Sequence, residues 1–194
     1  MANEAEKGFL SKIKSGVTKS AQWFKDKVKE YQKIAAKYSG PMARRAFIKG
    51  DKSSEILTGQ PIVGRMYLFQ YDAKFKDILP YWDVWPLIFP FDYAKNGFYG
   101  INLHYLPPAA RHNLLVALGG NQDSTKNQLS MSYNIITKFA ATKPCVKRYL
   151  FSHVQGKGFY GISGEDWSYA AALPLQKFRG ATSNTVWKHS ATMY

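Results

Sequence analysis

The chain has 194 residues, of which 45% are hydrophobic and 15% aromatic, and its formal net charge at neutral pH is +14. This size and composition predict one domain of moderate size with a real hydrophobic core, together with an appendage. The single cysteine, Cys145, excludes an intramolecular disulfide and a thiol-rich zinc site. The sequence has no long uncharged apolar run and no apolar leader, so it predicts neither a membrane span nor a signal peptide.

The positive charge is concentrated in the first quarter of the chain. Residues 1–50 contain 12 of the 27 lysines and arginines but only 4 of the 13 acidic residues. An excess of this kind favours a polyanionic partner, either nucleic acid or an anionic membrane surface. A basic face that is simply solvated is the alternative.

The segment from Phe9 to Tyr38 has the apolar spacing of an amphipathic helix, which Gly40 and Pro41 would end. One stripe carries the apolar side chains that we predict to contact a partner: Leu10, Ile13, Val17, Phe24, Val28 and Tyr31. The opposite side of the helix and the residues after it carry the basic side chains that we predict to contact nucleic acid: Lys12, Lys19, Lys25, Lys29, Lys33, Lys37, Arg44 and Arg45.

Changes in composition and periodicity along the sequence divide the chain into three parts. Residues 1–57 are predicted to form a basic helical arm and a polar linker, residues 58–180 a core domain, and residues 181–194 a C-terminal tail. The predicted fold class of the core is α+β, a small antiparallel sheet with an aromatic-rich hairpin packed by several helices. The amphipathic basic helix precedes it.

Three strands are predicted in the first half of the core. They are "VGRMYLFQY", "PLIFPFDY" and "GFYGINLHY", all rich in aromatic and aliphatic residues. Asn96-Gly97 between the last two indicates a tight hairpin turn. The intervening stretch "DAKFKDILPYWDVWP" is predicted to be a packed loop.

The second half of the core is predicted to be mainly helical. Pro107-Pro108 opens a helix that runs through Leu118, and a further helix is predicted from Ser124 or Thr125 to Ala141. The segment "PCVKRYLFSHV" is predicted to be a shorter helix, "GFYGIS" a strand, "EDWSYAAAL" a helix that begins with a capping box, and "LPLQKF" a short strand. The remaining segment, "RGATSNTVWKHSATMY", has little periodicity, and we predict that it needs a partner to become ordered.

One hexapeptide occurs almost unchanged at two places, "NGFYGI" at residues 96–101 and "KGFYGI" at residues 157–162. The second aromatic of the RNA-recognition signature is replaced by glycine, so this echo does not fit that motif. The flanking residues do not match, so it does not indicate a duplicated unit. We therefore predict a structural role, in which a glycine makes a turn and the Phe and Tyr side chains point to opposite faces of a strand.

No arrangement of residues indicates a chemical site. The four histidines have no zinc-ligand spacing, and neither a phosphate loop nor a nucleophile elbow occurs. His104 is interpreted as a structural histidine, and Asp77 and Asp83 do not define an acid–base pair. Basic neighbours could lower the pKa of Cys145, but a small, half-buried helix residue that behaves as a hydrophobe is favoured. We therefore predict no catalytic, cofactor or metal site, and no enzyme.

A longer pattern resembles a known family. It runs from Tyr71 and Lys74 through "LPYW", "PLIFP", "GFYG" and "NLHYLP", and continues in "KPCVKRYLFSHV" and "ALPLQKFRGA". This pattern, over about residues 65–180, resembles virion proteins of T-even-like contractile-tailed phages. The resemblance implies a structural protein of the DNA end protector or head-completion class, or a related neck or baseplate protein. The basic arm lies outside it.

Three functions remain open from the sequence. In the first, the chain docks on other virion subunits in a symmetric assembly, at the head–tail connector for example, and its lysines contact double-stranded DNA without reading bases. In the second, it is a structural adaptor of the tail or baseplate that assembles through the apolar stripe. In the third, Trp23 and Phe24 favour binding to a membrane surface. The first two place the protein in the virion, after assembly in the host cytoplasm.

Overall fold

The computed structural model describes Gly40, Pro41, Arg44, residues 56–118 and residues 140–193. The predicted basic helix, most of the linker and most of the predicted helix up to Ala141 lie outside these described residues. The described part combines helices with antiparallel sheets, so the predicted α+β class is confirmed.

The main sheet has six strands in the order β1-β7-β2-β4-β5-β6, and all neighbours are antiparallel. The remaining strands, β3 and β8, form a small second sheet. The bounds are β1 Ile56–Leu57, β2 Met66–Tyr71, β3 Trp82–Asp83, β4 Leu87–Ala94, β5 Gly97–Asn102, β6 Val146–Leu150, β7 Val154–Ile162 and β8 Phe178–Arg179. The three strands predicted in the first half of the core are thus confirmed.

The predicted hairpin joins β4 to β5, but its glycine has a different role from the one expected. Ala94 pairs with Gly97, and the turn residue with positive φ is Asn96, at 61°. A Cβ at Gly97 would lie 2.0 Å from the Tyr149 carbonyl oxygen. Gly97 is therefore required for the close approach of β6, while Asn96 adopts the left-handed conformation that Asn tolerates.

The sheet is strongly curved. The strands β6 and β7 are four positions apart in the sheet, yet only Phe151–His153 joins them. Four positions correspond to about 19 Å across a flat sheet, whereas the four residue steps from Leu150 to Val154 span at most about 14 Å. The sheet must therefore curl so that the end of β6 approaches the start of β7.

Aromatic side chains fill the concave side of this curl. The rings of Phe98 and Phe159 lie 5.7 Å apart, and those of Phe69 and Tyr149 lie 5.3 Å apart, although each pair joins strands three positions apart. The same residues form one buried cluster with Tyr67 and Tyr71. Such edge-to-face contacts stabilise the curl beyond the area that they bury.

This cluster explains the repeated hexapeptide. Phe98 and Phe159 enter the aromatic interior, while Tyr99 and Tyr160 pack against the second core on the opposite face. The prediction that Phe and Tyr point to opposite faces is confirmed. Gly158 has a φ of 107°, and a Cβ there would lie 2.5 Å from the carbonyl oxygen of Leu57, so this glycine is needed where β1 meets β7.

Within residues 56–118 and 140–193, three α-helices pack on the convex face of the sheet. They are α1 Pro108–Ala117, α2 Trp167–Ala172 and α3 Ser183–Ala191. The predicted helices at "PPAARHNLL" and "EDWSYAAAL" correspond to α1 and α2 and are confirmed. The hydroxyl of Ser163 donates to Asp166 Oδ2 at 3.0 Å, but neither side chain bonds a backbone amide, so the predicted capping box is not formed.

The prediction of an unordered C-terminal tail is wrong for residues 183–191, which form α3. Thr182 caps the helix by accepting a hydrogen bond from the Thr185 amide, and Val186 and Ser190, one turn apart, are buried. The indole of Trp187 donates to the His104 carbonyl at 2.9 Å. Tertiary contacts therefore order a segment whose apolar stripe is too narrow to be recognised in the sequence.

The prediction of a helix at "PCVKRYLFSHV" is also wrong. Val146–Leu150 form β6, and Phe151–His153 form a 3₁₀ turn. Apolar residues at helical spacing suggested a helix, but all five strand residues pair with β5. A Cβ at Gly97 of β5 would collide with the Tyr149 carbonyl oxygen, so this glycine lets the β6 backbone approach, and the pairing partner decided the conformation.

Candidate nucleic-acid interface

A groove of about 460 Å³ runs between β6 and the segment 71–83, and α3 contributes one wall. The strand β6 pairs with β5 on one side only, and within the described residues no strand pairs with its other edge. The groove therefore lies where the curled sheet stays open. We call it the β6 groove.

The floor of the β6 groove carries a lysine against an aromatic ring. Nζ of Lys147 lies 4.1 Å from the centroid of the Tyr105 ring. Burial lowers the pKa of Lys147, and the nearby Cys145 thiol acts in the opposite direction. No carboxylate of the described residues forms an ion pair with this ammonium. A cation held on a ring in this way remains open to an anionic ligand.

Two further cations lie at the rim. Nζ of Lys74 lies 5.3 Å from the centroid of the Phe75 ring, and Arg148 is exposed with one guanidinium nitrogen bound to the Lys95 carbonyl at 3.1 Å. The exposed Lys76 is paired with Asp72 at 3.0 Å. The rim thus combines cations that keep free donors with one neutralised pair.

The loop beside the groove exposes an unusual amount of apolar surface. Phe75 is 55% exposed, Ile78 80% and Leu79 41%; we call these three residues the apolar loop. With Met193 on the opposite wall, they make up four of the eight large apolar side chains exposed in the described residues. The segment was predicted to be a packed loop, which holds for the partly buried Trp82 and Trp85 but is wrong for residues 74–79.

A buried polar network supports the groove from behind. Oδ2 of Asp83 lies 2.7 Å from Nδ1 of His104 and 3.3 Å from Nδ2 of Asn102, which also donates to the Tyr149 hydroxyl. Oδ1 of Asp83 accepts from the amides of Trp85 and Lys177. One carboxylate thereby ties β3 to the end of β5 and to the start of β8.

The electrostatics of this pair follow from burial. Burial by itself raises the pKa of Asp83, but the charge and hydrogen bond of His104 and the two backbone amides outweigh it, so the pKa lies below its ordinary value. Burial lowers the pKa of His104 more than Asp83 raises it. The pair is therefore an ionised Asp83 and a neutral His104 at neutral pH, and His104 is structural, as predicted.

The buried Arg111 is part of the same framework. Its guanidinium donates to the carbonyls of Leu106 and Ala171 and to the side chain of Gln176, at 2.7, 3.1 and 3.0 Å. Burial lowers its pKa to about 9, although Asp83 acts to raise it. Every one of these acceptors belongs to the protein, so this cation fixes α1 to the segment after α2.

The thiol of Cys145 is fully buried, and both Lys147 of the β6 groove and the buried Arg111 lie near it. Burial raises its pKa to about 12, while Lys147 and Arg111 act to lower it. Cys145 is thus a small hydrophobe, as favoured, but it is fully buried and not half-buried, and it ends a 3₁₀ segment, Ala140–Cys145, and not the predicted helix.

Of the residues predicted to contact nucleic acid or a partner, only Arg44 lies within the described residues. It is buried, donates to the carbonyls of Leu175 and Gln176 at 2.9 and 3.2 Å, and lies over the Trp85 ring. In this conformation the guanidinium does not face solvent. The remaining residues lie outside the described part, and their contacts stay predictions.

The groove itself was not predicted from the sequence. Lys147 and Arg148 were assigned to a helix, and Phe75, Ile78 and Leu79 to a packed loop. One signal was available: "KFKDIL" places two lysines and three apolar residues in one short stretch that has neither helical nor strand periodicity. Aromatic rings, unpaired cations and exposed apolar side chains in one groove suit a ligand with flat apolar faces and negative charges.

The comparisons with known proteins give one match. A family model described as Phage T4 terminal DNA protecting protein matches residues 7–190. No curated protein and no solved structure matches the chain. Among the described residues, no helix is long and apolar enough to span a bilayer, and no three His, Cys, Asp or Glu side chains are grouped as a metal site.

Proposed function

We propose, because the chain belongs to the family of the phage T4 terminal DNA protecting protein, that it shields the ends of linear phage DNA inside the virion. The observation that carries this proposal is the match of the family model over residues 7–190, nearly the whole chain. The family is described by protection of DNA and not by a catalytic activity. The resemblance seen in the sequence, to the DNA end protector class of T-even-like phages, is the same family.

The positive net charge of the full chain supports contact with DNA. The net charge is +14, and lysines dominate the N-terminal segment. Lysines contact phosphates as point charges, which binds the backbone without reading bases. A protein that protects any end must bind regardless of sequence, and this composition suits that requirement.

The proposal is tested by digestion of blunt linear duplex with a double-strand exonuclease. Full-length protein should slow the loss of the ends, and its affinity should fall steeply as salt rises because bound lysines release counterions. A supercoiled circle, which offers no end to the nuclease, serves as the control substrate. If the nuclease digests the duplex equally fast with and without protein, the chain does not protect ends.

The contribution of the predicted basic helix needs variants of the full chain. Replacing Lys12, Lys19, Lys25, Lys29, Lys33 and Lys37 by Gln should weaken DNA binding and lower its salt dependence, whereas serine at Leu10, Ile13 and Phe24 should not. The opposite pattern, with normal DNA binding in both and lost virion incorporation in the serine variant, would support the structural adaptor.

We place the protein in the virion, assembled in the host cytoplasm and docked on other virion subunits. Membrane-surface binding is the weaker alternative, since only Trp23 and Phe24 favour it. Flotation with anionic liposomes tests membrane binding. If the protein binds membranes through apolar insertion, it should float with the liposomes even at a salt concentration that removes DNA binding.

A further inference from the structure

The ends of a duplex differ from its interior in chemistry. Inside a duplex the base faces are stacked on each other, so that a protein meets phosphates, sugars and base edges. Only an end exposes the flat face of a terminal base pair and allows single nucleotides to fray. A surface that selects ends therefore needs groups that pack on a base face, together with cations for the terminal phosphates.

The β6 groove and its apolar loop have both kinds of group. Phe75, Ile78 and Leu79 project beside the groove, and within the described part of the chain they remain largely exposed. Lone exposed apolar residues are common on proteins, but a cluster of them beside one groove marks a binding surface. Aromatic rings continue from the loop into the groove, at Tyr81 and Tyr105.

The charges around this surface favour an anion. Lys74 and Arg148 lie at the rim and Lys147 on the floor. Of the nearby acids, Asp72 is paired with Lys76, and Asp83 is buried and accepts four hydrogen bonds. Asp77 is the remaining exposed carboxylate of the loop. An apolar protein partner would need no such excess of cations, whereas the terminal nucleotides of DNA do.

The size of the groove sets the scale of the ligand. Its volume of about 460 Å³ falls within the range of roughly 300–1,000 Å³ that is usual for small-molecule sites. A single frayed nucleotide has this scale, whereas a duplex is far wider and can only lie across the mouth.

We propose that the β6 groove is the site that recognises the DNA end. The apolar loop packs on the exposed face of the terminal base pair, a frayed terminal nucleotide enters the groove, and Lys147, Arg148 and Lys74 contact its phosphates. This inference rests on the proposed function. It adds the chemistry by which an end is told apart from the interior of a duplex.

The test compares two DNAs of equal length: a blunt duplex, and a dumbbell whose ends are closed by hairpin loops. The full-length protein should bind the blunt duplex more tightly. The variant F75S/I78S/L79S should lose about tenfold or more of this preference, because base–aromatic stacking of this kind is lost. Its affinity for the dumbbell should stay the same, since contacts to the backbone remain.

The matched control is I62S/V116S, which removes two apolar side chains that are each 36% exposed and do not line the groove. It should behave like the wild type. Circular dichroism and a urea titration establish that both variants are folded, which is expected because all of the changed side chains are exposed.

The outcomes separate this inference from the function. A wild-type chain that neither protects ends nor binds DNA defeats the proposed function and the inference with it. A loop variant that keeps the full preference for open ends defeats the inference alone. A loop variant with unchanged DNA binding that no longer enters virions would assign the apolar loop to a protein partner, and it would also overturn the end-recognition site.

Discussion

Two regions near Cys145 each hold a buried or half-buried cation against an aromatic ring, but they differ in how the hydrogen bonds of the cation are satisfied. Arg111 lies over Trp187, and its donors are used by carbonyls and an amide of the protein. Lys147 lies over Tyr105, without an ion-pair partner among the described residues, and faces the β6 groove. The first cation holds the fold together, whereas the second is open to a ligand.

This difference shows how buried charges can be assigned to structure or to binding. A buried charge whose hydrogen bonds are complete within the protein has little left to offer a ligand. A partly desolvated charge that faces a groove interacts more strongly with an incoming anion than a solvated one.

We expect the largest change in the free energy of unfolding from the buried network of Asp83, His104 and Asn102 behind the β6 groove. Asp83→Ala removes a buried carboxylate that accepts four hydrogen bonds, and it leaves His104 and two backbone amides without their acceptor. We expect the free energy of unfolding to fall by about 3–5 kcal/mol, measured by urea denaturation. Asp77→Ala, an exposed carboxylate of the neighbouring loop, should change it little. A small loss for Asp83→Ala would mean that the network is not structural.

Acid should weaken the same network. The pKa values of His104 and Asp83 both lie below their ordinary values. Burial lowers the pKa of His104. For Asp83, burial acts to raise the pKa, but the charge of His104 and the hydrogen bonds that the carboxylate accepts outweigh it. The unfolded chain therefore binds more protons than the folded chain as pH falls below about 6.5 for the histidine and below about 3.8 for the carboxylate. The contribution of this pair to stability is therefore fully present well above pH 6.5 and is lost progressively as pH falls.

The measurement is the urea midpoint across a pH series from neutral to mildly acidic. The variant His104→Gln should be less stable at neutral pH and show a shallower decline on acidification. A wild-type midpoint that rises on acidification would contradict the assignment of a neutral buried imidazole beside an ionised carboxylate.

On the groove side, Lys147→Gln should affect DNA binding and not folding. The salt dependence of binding to blunt duplex, as the slope of log affinity against log salt, should decrease by about one unit. The urea midpoint should stay the same or rise, because a desolvated charge is removed. A destabilised protein with an unchanged slope would place Lys147 with Arg111, among the structural cations.

The smallest effect is expected at Cys145, which lies between the two regions. Burial raises the pKa of its thiol to about 12, and only the thiolate reacts with alkylating agents. Iodoacetamide at pH 8 should leave the native protein unmodified and should modify it fully in guanidinium, as mass spectrometry would show. Rapid labelling of the native protein would mean that the floor of the groove opens to solvent.

Local patterns predicted the elements that depend on local chemistry. The aromatic strands β2, β4 and β5, the hairpin turn at Asn96 and the helix α1 after Pro107 follow from alternation, turn residues and proline, which act over a few residues. The opposite directions of Phe98 and Tyr99 follow from the period of a strand. The turn role expected of Gly97 was wrong, because the approach of β6 decides its function.

The elements that sequence reasoning missed depend on distant partners. Val146–Leu150 lies in a segment predicted to be helical, and it becomes β6 because all five of its residues pair with β5, where Gly97 allows the close approach. Residues 183–191 have a narrow apolar stripe, and they become α3 because Val186 and Trp187 find partners more than 80 residues away, such as the His104 carbonyl. The β6 groove lies between these two elements, so it could not be predicted without them.

Patterns along the chain were enough to predict the α+β class, the opposite directions of Phe and Tyr in the repeated hexapeptide, the uneven distribution of charge, and a resemblance that the family match bears out. The folded arrangement decides that the sheet curls, that Arg111 finds four acceptors within the protein while Lys147 has no ion-pair partner among the described residues, and that Phe75, Ile78 and Leu79 stay exposed beside a groove. The physical reason is distance along the chain. Periodicity and turn chemistry act between neighbours in sequence, whereas curvature, burial and pairing of charges are set by residues that meet only after the chain has folded.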